Sequence, residues 1–156
     1  MKKSDINSVL AALRKVRLDK VEDKDLRKLL VDDTIALARA SRDLENDIHD
    51  AGSVMDAYKE EAQEVERLRS LLLTSADAEE QKQLAREING HTAYFAAQRA
   101  FTERQDEILR QEVEGVKPLD LDAFRAATEK ADITLDQFAA LVPLFGEPKA
   151  EKTKKK

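Results

Sequence analysis

The chain has no cysteine and no tryptophan, only three prolines and four glycines, and 4 % aromatic residues. Each shortage excludes something. Without cysteine there is no disulfide scaffold, no zinc finger, no iron–sulfur site and no thiol nucleophile. The four glycines, Gly52, Gly90, Gly115 and Gly146, stand alone, so no glycine-rich phosphate loop is present. No apolar run approaches the roughly 18 residues that a membrane span needs. The opening Met1-Lys2-Lys3-Ser4-Asp5 is basic but leads into a broken apolar pattern rather than a signal-peptide core. These absences point to a cytoplasmic protein with no membrane contact.

What is present is 38 % charged and 42 % hydrophobic residues over 156 positions. A chain rich in Ala, Leu, Glu, Lys and Arg and poor in turn formers reads as long helix or coiled coil. Its length suits one ordinary domain with a buried core. The net charge of −5 is unevenly placed. Residues 1–20 hold six basic side chains against two acidic ones, and residues 149–156 hold five lysines against one glutamate. The body between them is strongly acidic. Such a body repels nucleic acid along its length, so nucleic acid can be engaged only through the basic ends. The lysines of the C-terminal end, Lys149, Lys152, Lys154, Lys155 and Lys156, cannot bury apolar surface and are expected to form a disordered electrostatic tail.

Apolar periodicity supplies the architecture. Ile6, Val9, Leu10, Leu13 and Val16 mark a short amphipathic helix over about 5–17. Leu30, Leu37, Leu44, Ala51, Tyr58, Val65 and Leu72 then recur every seven residues. A heptad held this long keeps one helical face against a partner. Gly52 lies inside the run, yet Ala51 and Tyr58 keep the register, so one helix over about 24–74, bent at Gly52-Ser53, is favoured over two helices meeting there. Thr74 to Asp77 is the turn, with Asp77 and Glu80 spaced as a capping box. Leu84, Ile88, Tyr94, Phe95, Phe101, Ile108 and Leu109 carry the return helix to about Glu114, where Gly115 and Pro118 stop it. Two short helices follow, one from Asp120 or Asp122 to about Ala131, the other from Thr134 with Gln137 completing a second capping box.

The chain is therefore read as all-α: a long antiparallel, coiled-coil-like helical hairpin with a short N-terminal helix and two short C-terminal helices packed at its base. Residues 1–148 form a single helical domain, with the hairpin over about 24–114 and the C-terminal helices over about 120–145; 149–156 is the tail.

Little in the chain resembles an active site. The two histidines each follow a glutamate by four residues, Glu45 with His49 and Glu87 with His91. In a hairpin turning near 75–76, His49 faces about residue 102, eleven residues from His91 and roughly 16 Å away at 1.5 Å per residue. One metal ion cannot use both, and neither a metal nor a cofactor is expected. The carboxylates are spread over helix faces with no apolar pocket around them, so no enzyme activity is expected. The helix from Thr134 has Asp136 and Gln137 at its start and no basic residue, which argues against reading a major groove.

Two features fit a partner instead. Leu71, Leu72 and Leu73, at the hairpin tip, cannot all face one neighbouring helix. The run ending in Leu144 and Phe145 is unusually apolar for a chain end. In composition and shape, a small acidic helical rod with a lysine tail resembles phage scaffolding and assembly-chaperone proteins, without a matched motif. The sequence thus points to a non-enzymatic protein acting through a protein partner or a homo-oligomer, as an assembly, scaffolding or adaptor factor. The alternative is a nucleic-acid-associated accessory protein using its basic ends without sequence specificity.

Overall fold

The computed structural model describes residues 1–146; the lysine-rich tail lies outside the described residues. The fold is all-α, a long helical hairpin with shorter helices packed against it. Among the described residues seven α-helices follow in chain order: α1 Ile6–Leu13, α2 Lys24–Gly52, α3 Lys59–Thr74, α4 Ala78–Gly90, α5 Thr92–Arg110, α6 Leu121–Ala127 and α7 Leu135–Leu141. Among the described residues there is no strand, only the isolated bridges Lys2–Glu112 and Leu119–Phe145. The chain divides into two compact units, Met1–Glu45 with Leu109–Lys156, and Asn46–Ile108.

The second unit carries the turn between α3 and α4. Its core is Val65 and Leu68 of α3, Leu84 and Ile88 of α4, and Tyr94 of α5, with Met55, Tyr58, Ala62, Leu72 and Phe95 packed around them. Tyr94 meets Phe95 edge-on, with ring centroids 5.1 Å apart. Aromatic pairs prefer this geometry because the positive ring edge meets the negative ring face.

The helical run from α2 to α3 is not α-helical throughout. It tightens into a 3₁₀ segment over Ser53–Tyr58. Two local causes coincide. Gly52 has weak helix propensity, and the Ser53 hydroxyl donates to the Asp50 carbonyl at 2.7 Å, competing with the regular backbone ladder. The return path is also not one helix. It closes α4 at Gly90, passes through His91 at φ −77°, ψ 52°, and restarts at Thr92.

The first unit gathers α1, α6, α7 and most of α2. Ile6 and Val9 of α1, Leu37 of α2 and Leu141 of α7 are fully buried. Backbone bonds tie the segments together: Lys3 N–H donates to the Gln111 carbonyl at 2.8 Å, Glu22 N–H to Ala127 at 3.1 Å, and Leu119 N–H to Leu144 at 2.8 Å. The return helix ends at Arg110, short of the end near Glu114 expected from Gly115 and Pro118; Gly115, in the loop beyond it, sits at φ +78°, a left-handed conformation that disfavours any residue with a Cβ. Caps fix the short helices. Asp120 accepts from the N–H groups of Asp122 and Ala123, and Thr134 with Gln137 forms the reciprocal capping box.

One polar residue enters this core. Asp33 is 1 % exposed. Its Oδ1 accepts from the Lys117 N–H at 3.0 Å, holding the loop after α5 against α2, while Oδ2 is buried with no hydrogen-bond partner. Burial pushes the carboxyl above its ordinary range; the Lys117 N–H opposes this, the charge of Asp32 adds to it, and the Lys117 charge opposes it.

Two outcomes follow. Gly52 has right-handed helical angles, and a Cβ there would lie 3.5 Å from the Phe101 ring, an ordinary contact. Gly52→Ala is therefore expected to stabilise the protein by about 0.5–1 kcal/mol in thermal or urea melts; a loss would show that the 3₁₀ segment needs glycine. For Asp33, a folded pKa raised above the ordinary 3.8 means that the folded state binds more protons between the two values. Its contribution to stability grows as pH falls through the raised value and is lost as pH rises. Asp33→Asn keeps the acceptor for Lys117 and removes this titration. The difference in urea midpoint between the two proteins is expected to move in favour of the wild type on acidification, and a pH-independent difference would contradict it.

Candidate interaction surfaces

The hairpin tip is built from the inside outward. Successive residues on an α-helix are rotated by about 100°. Leu72 occupies the heptad position and packs on the core of its unit, so its two neighbours are turned away to either side. Leu71 is 42 % exposed and Leu73 is 87 % exposed. The turn beside them is tied down. Ser75 N–H donates to the Leu71 carbonyl at 2.9 Å, and the Gln81 side chain reaches back to the Ser75 carbonyl at 2.7 Å. Asp77 Oδ1 caps α4 by accepting from Glu79 N–H at 2.8 Å and Glu80 N–H at 3.2 Å. The Glu80 carboxylate does not return to the Asp77 backbone as a capping box requires. It accepts from the Ser75 hydroxyl at 2.5 Å. The leucines thus project from a turn whose conformation is fixed before any partner arrives.

Apart from Val54, 47 % exposed, the rest of this unit's surface is mostly solvated polar and charged residues. Lys59 pairs with Asp56, Arg67 with Glu64, Lys82 with Glu79 and Arg104 with Glu107, each at three-residue spacing and well exposed. Such pairs contribute little to stability. They do neutralise cations, which leaves the remaining carboxylates to set the sign of the surface.

Leu144 and Phe145, the other pair named as contact residues, sit in the first unit. Leu144 is 2 % exposed. The Phe145 ring lies 5.3 Å from Phe124 and 5.5 Å from Phe138, centroid to centroid. Both side chains are used in packing the C-terminal helices. Exposed apolar surface on these helices comes instead from Leu135, 81 % exposed, and Val142, 53 % exposed. Seven residues apart, the two share one side of the helical path. Spacing alone gave no sign of this: at 100° per residue Leu135, Phe138, Leu141 and Val142 fall within about 120° of the helix, an ordinary core-facing stripe.

An open groove of about 550 Å³ adjoins Leu135, lined by Phe124, Arg125, Thr128, Glu129, Asp132, Ile133, Thr134 and Phe138. Arg125 lies over the Phe138 ring at 5.3 Å. Asp132 adopts φ +51°, a left-handed conformation that aspartate tolerates better than most residues. Lys149, Lys152, Lys154, Lys155 and Lys156 lie outside the described residues.

His49 is exposed near the end of α2, and His91 is half-buried at the junction of α4 and α5. Among the described residues no three His, Asp or Glu side chains are grouped to hold a metal ion. No helix among them is long and apolar enough to cross a membrane. No family model, curated protein or solved structure matches this chain.

The tip geometry separates two adjacent leucines. Leu73→Ser is expected to leave stability within about 0.5 kcal/mol of the wild type, and Leu72→Ser to cost about 1 kcal/mol or more in urea melts. Equal effects would contradict the placement of Leu72 on the core.

Proposed function

We propose that this chain is a non-enzymatic helical-hairpin protein that acts by contact with other proteins, as an assembly, scaffolding or adaptor factor. The observation that carries the reading is the pair Leu71 and Leu73, displayed outward on a turn fixed by its own hydrogen bonds. A single exposed leucine is ordinary on a protein surface. Two of them on a preorganised turn lose little conformational entropy when covered, which is the property a recognition element needs. The lack of any catalytic motif in the sequence, and a chemistry of helix faces rather than pockets, also support it.

The competing reading places the working parts in the basic ends and makes nucleic acid the partner. Affinity capture from native host lysate distinguishes them. A protein captured by the wild type after nuclease treatment, and not by a Leu71→Ser/Leu73→Ser variant, is the expected result. Capture that disappears with nuclease, or on deletion of residues 149–156, would replace this reading with the nucleic-acid one. Sedimentation of the purified chain tests the homo-oligomer form of the proposal: a dimer that the tip variant converts to monomer would make the partner a second copy.

A further inference from the structure

We propose that an open recess formed by α3, α4 and α5 is an anion site that takes the phosphoryl group of a small phosphate monoester. The site is separate from the contact reading, since none of the tip leucines lines it.

The unit around it is, on average, a poor place for an anion. Residues 46–108 hold seven lysines and arginines against fourteen aspartates and glutamates. Four of those seven cations, Lys59, Arg67, Lys82 and Arg104, are held in exposed ion pairs. Among the described residues the other three, Arg69, Arg86 and Arg99, pair with no carboxylate. Two of the three, Arg69 and Arg99, line one recess of about 520 Å³, and no aspartate or glutamate lines it with them. Glu66 and Glu103 stand one helical turn from these arginines in sequence and pair with neither. The charge of the recess is thus opposite to that of its unit and is not cancelled in place.

Arg69 is steadied without being neutralised. Its guanidinium carbon lies over the Phe95 ring, 5.9 Å from the centroid. A ring face attracts the cation but takes up none of its five N–H donors as a carboxylate would, so they stay free for an anion. Phe95 is half-buried and meets Tyr94 edge-on, so it serves as a rest for Arg69 rather than as an open wall. Asn89, Thr92 and Gln98 add neutral donors to the same lining, and none of their side chains makes a hydrogen bond among the described residues.

This set of donors selects the ligand. A carboxylate brings two oxygens and one negative charge. A phosphate monoester brings three terminal oxygens and a charge of about −1.5 to −2 at neutral pH, which suits two guanidinium forks with a hydroxyl and two amides beside them. A long polyanion would have to cross the acidic surface on either side, so the site favours a small ligand.

The test is an NMR titration of the full chain at constant ionic strength with phenyl phosphate, benzoate and a phosphoserine peptide. Phenyl phosphate is expected to shift backbone amides within 88–99 and the Nε–H signals of Arg69 and Arg99, and to bind about tenfold more tightly than benzoate. Arg69→Gln and Arg99→Gln, both at exposed positions, are each expected to weaken binding about tenfold. Arg86→Gln removes the third unpaired cation, which does not line the recess, and is expected to leave binding unchanged. Leu71→Ser/Leu73→Ser is also expected to bind as the wild type does, so failure of the tip reading and failure of this one are told apart. No binding, equal weakening by Arg86→Gln, shifts centred outside 88–99, or benzoate binding as tightly as phenyl phosphate would overturn the proposal. So would a phosphoserine peptide binding about tenfold more tightly than phenyl phosphate, which would make the occupant a phosphorylated protein.

Discussion

Burial of a seven-residue apolar repeat is the constraint from which the fold follows. Leu30, Leu37 and Leu44 are almost fully buried along α2, and Val65 is buried on α3, with Tyr58 and Leu72 packed beside it. The helices that carry these residues are otherwise highly charged, and isolated helices of such composition gain most of their stability from packing one face. The face therefore determines the rest: which helix must return along it, which leucine of the tip turns inward, and which two are left in water.

Much of this was legible in the residue spacing. The turn at Thr74 to Asp77 and the Thr134–Gln137 capping box are short-range signals, and short-range signals survive without knowledge of tertiary contacts; the return helix, by contrast, ends at Arg110, before the Gly115 that was expected to stop it. The interruption at His91 was less visible. Asn89-Gly90 is a turn dipeptide, but it lies in a run whose apolar residues, Leu84, Ile88, Tyr94 and Phe95, continue on both sides and mask it. The tightening over Ser53–Tyr58 depends on the Ser53 hydroxyl choosing a backbone acceptor, which no periodicity records. Asp33 is the furthest from a sequence signal. Its burial follows from a loop 84 positions further along the chain supplying the Lys117 N–H.

The candidate contact residues divide on the same principle. Leu71 and Leu73 could be picked out because three consecutive leucines overfill any helical seam. Leu144 and Phe145 drew attention by density alone, and density does not say whether a run closes a core or covers a partner. Here the aromatic rings of Phe124 and Phe138 were waiting for Phe145. The apolar surface left outside is ten residues earlier, at Leu135, at the start of α7.

An ideal 3₁₀ segment would reset the angle at which α3 begins. A 3₁₀ helix climbs about 2.0 Å and turns about 120° per residue, against about 1.5 Å and 100° in an α-helix. Over the six residues Ser53–Tyr58 the difference amounts to roughly 3 Å of length and roughly 120° of rotation. The packing shows no such offset: Met55, Tyr58, Ala62, Val65, Leu68 and Leu72 all meet one core at three- and four-residue spacing. The seven-residue register thus passes through the tightened segment intact, and a local change of backbone winding leaves the covered leucine of the tip where the repeat places it.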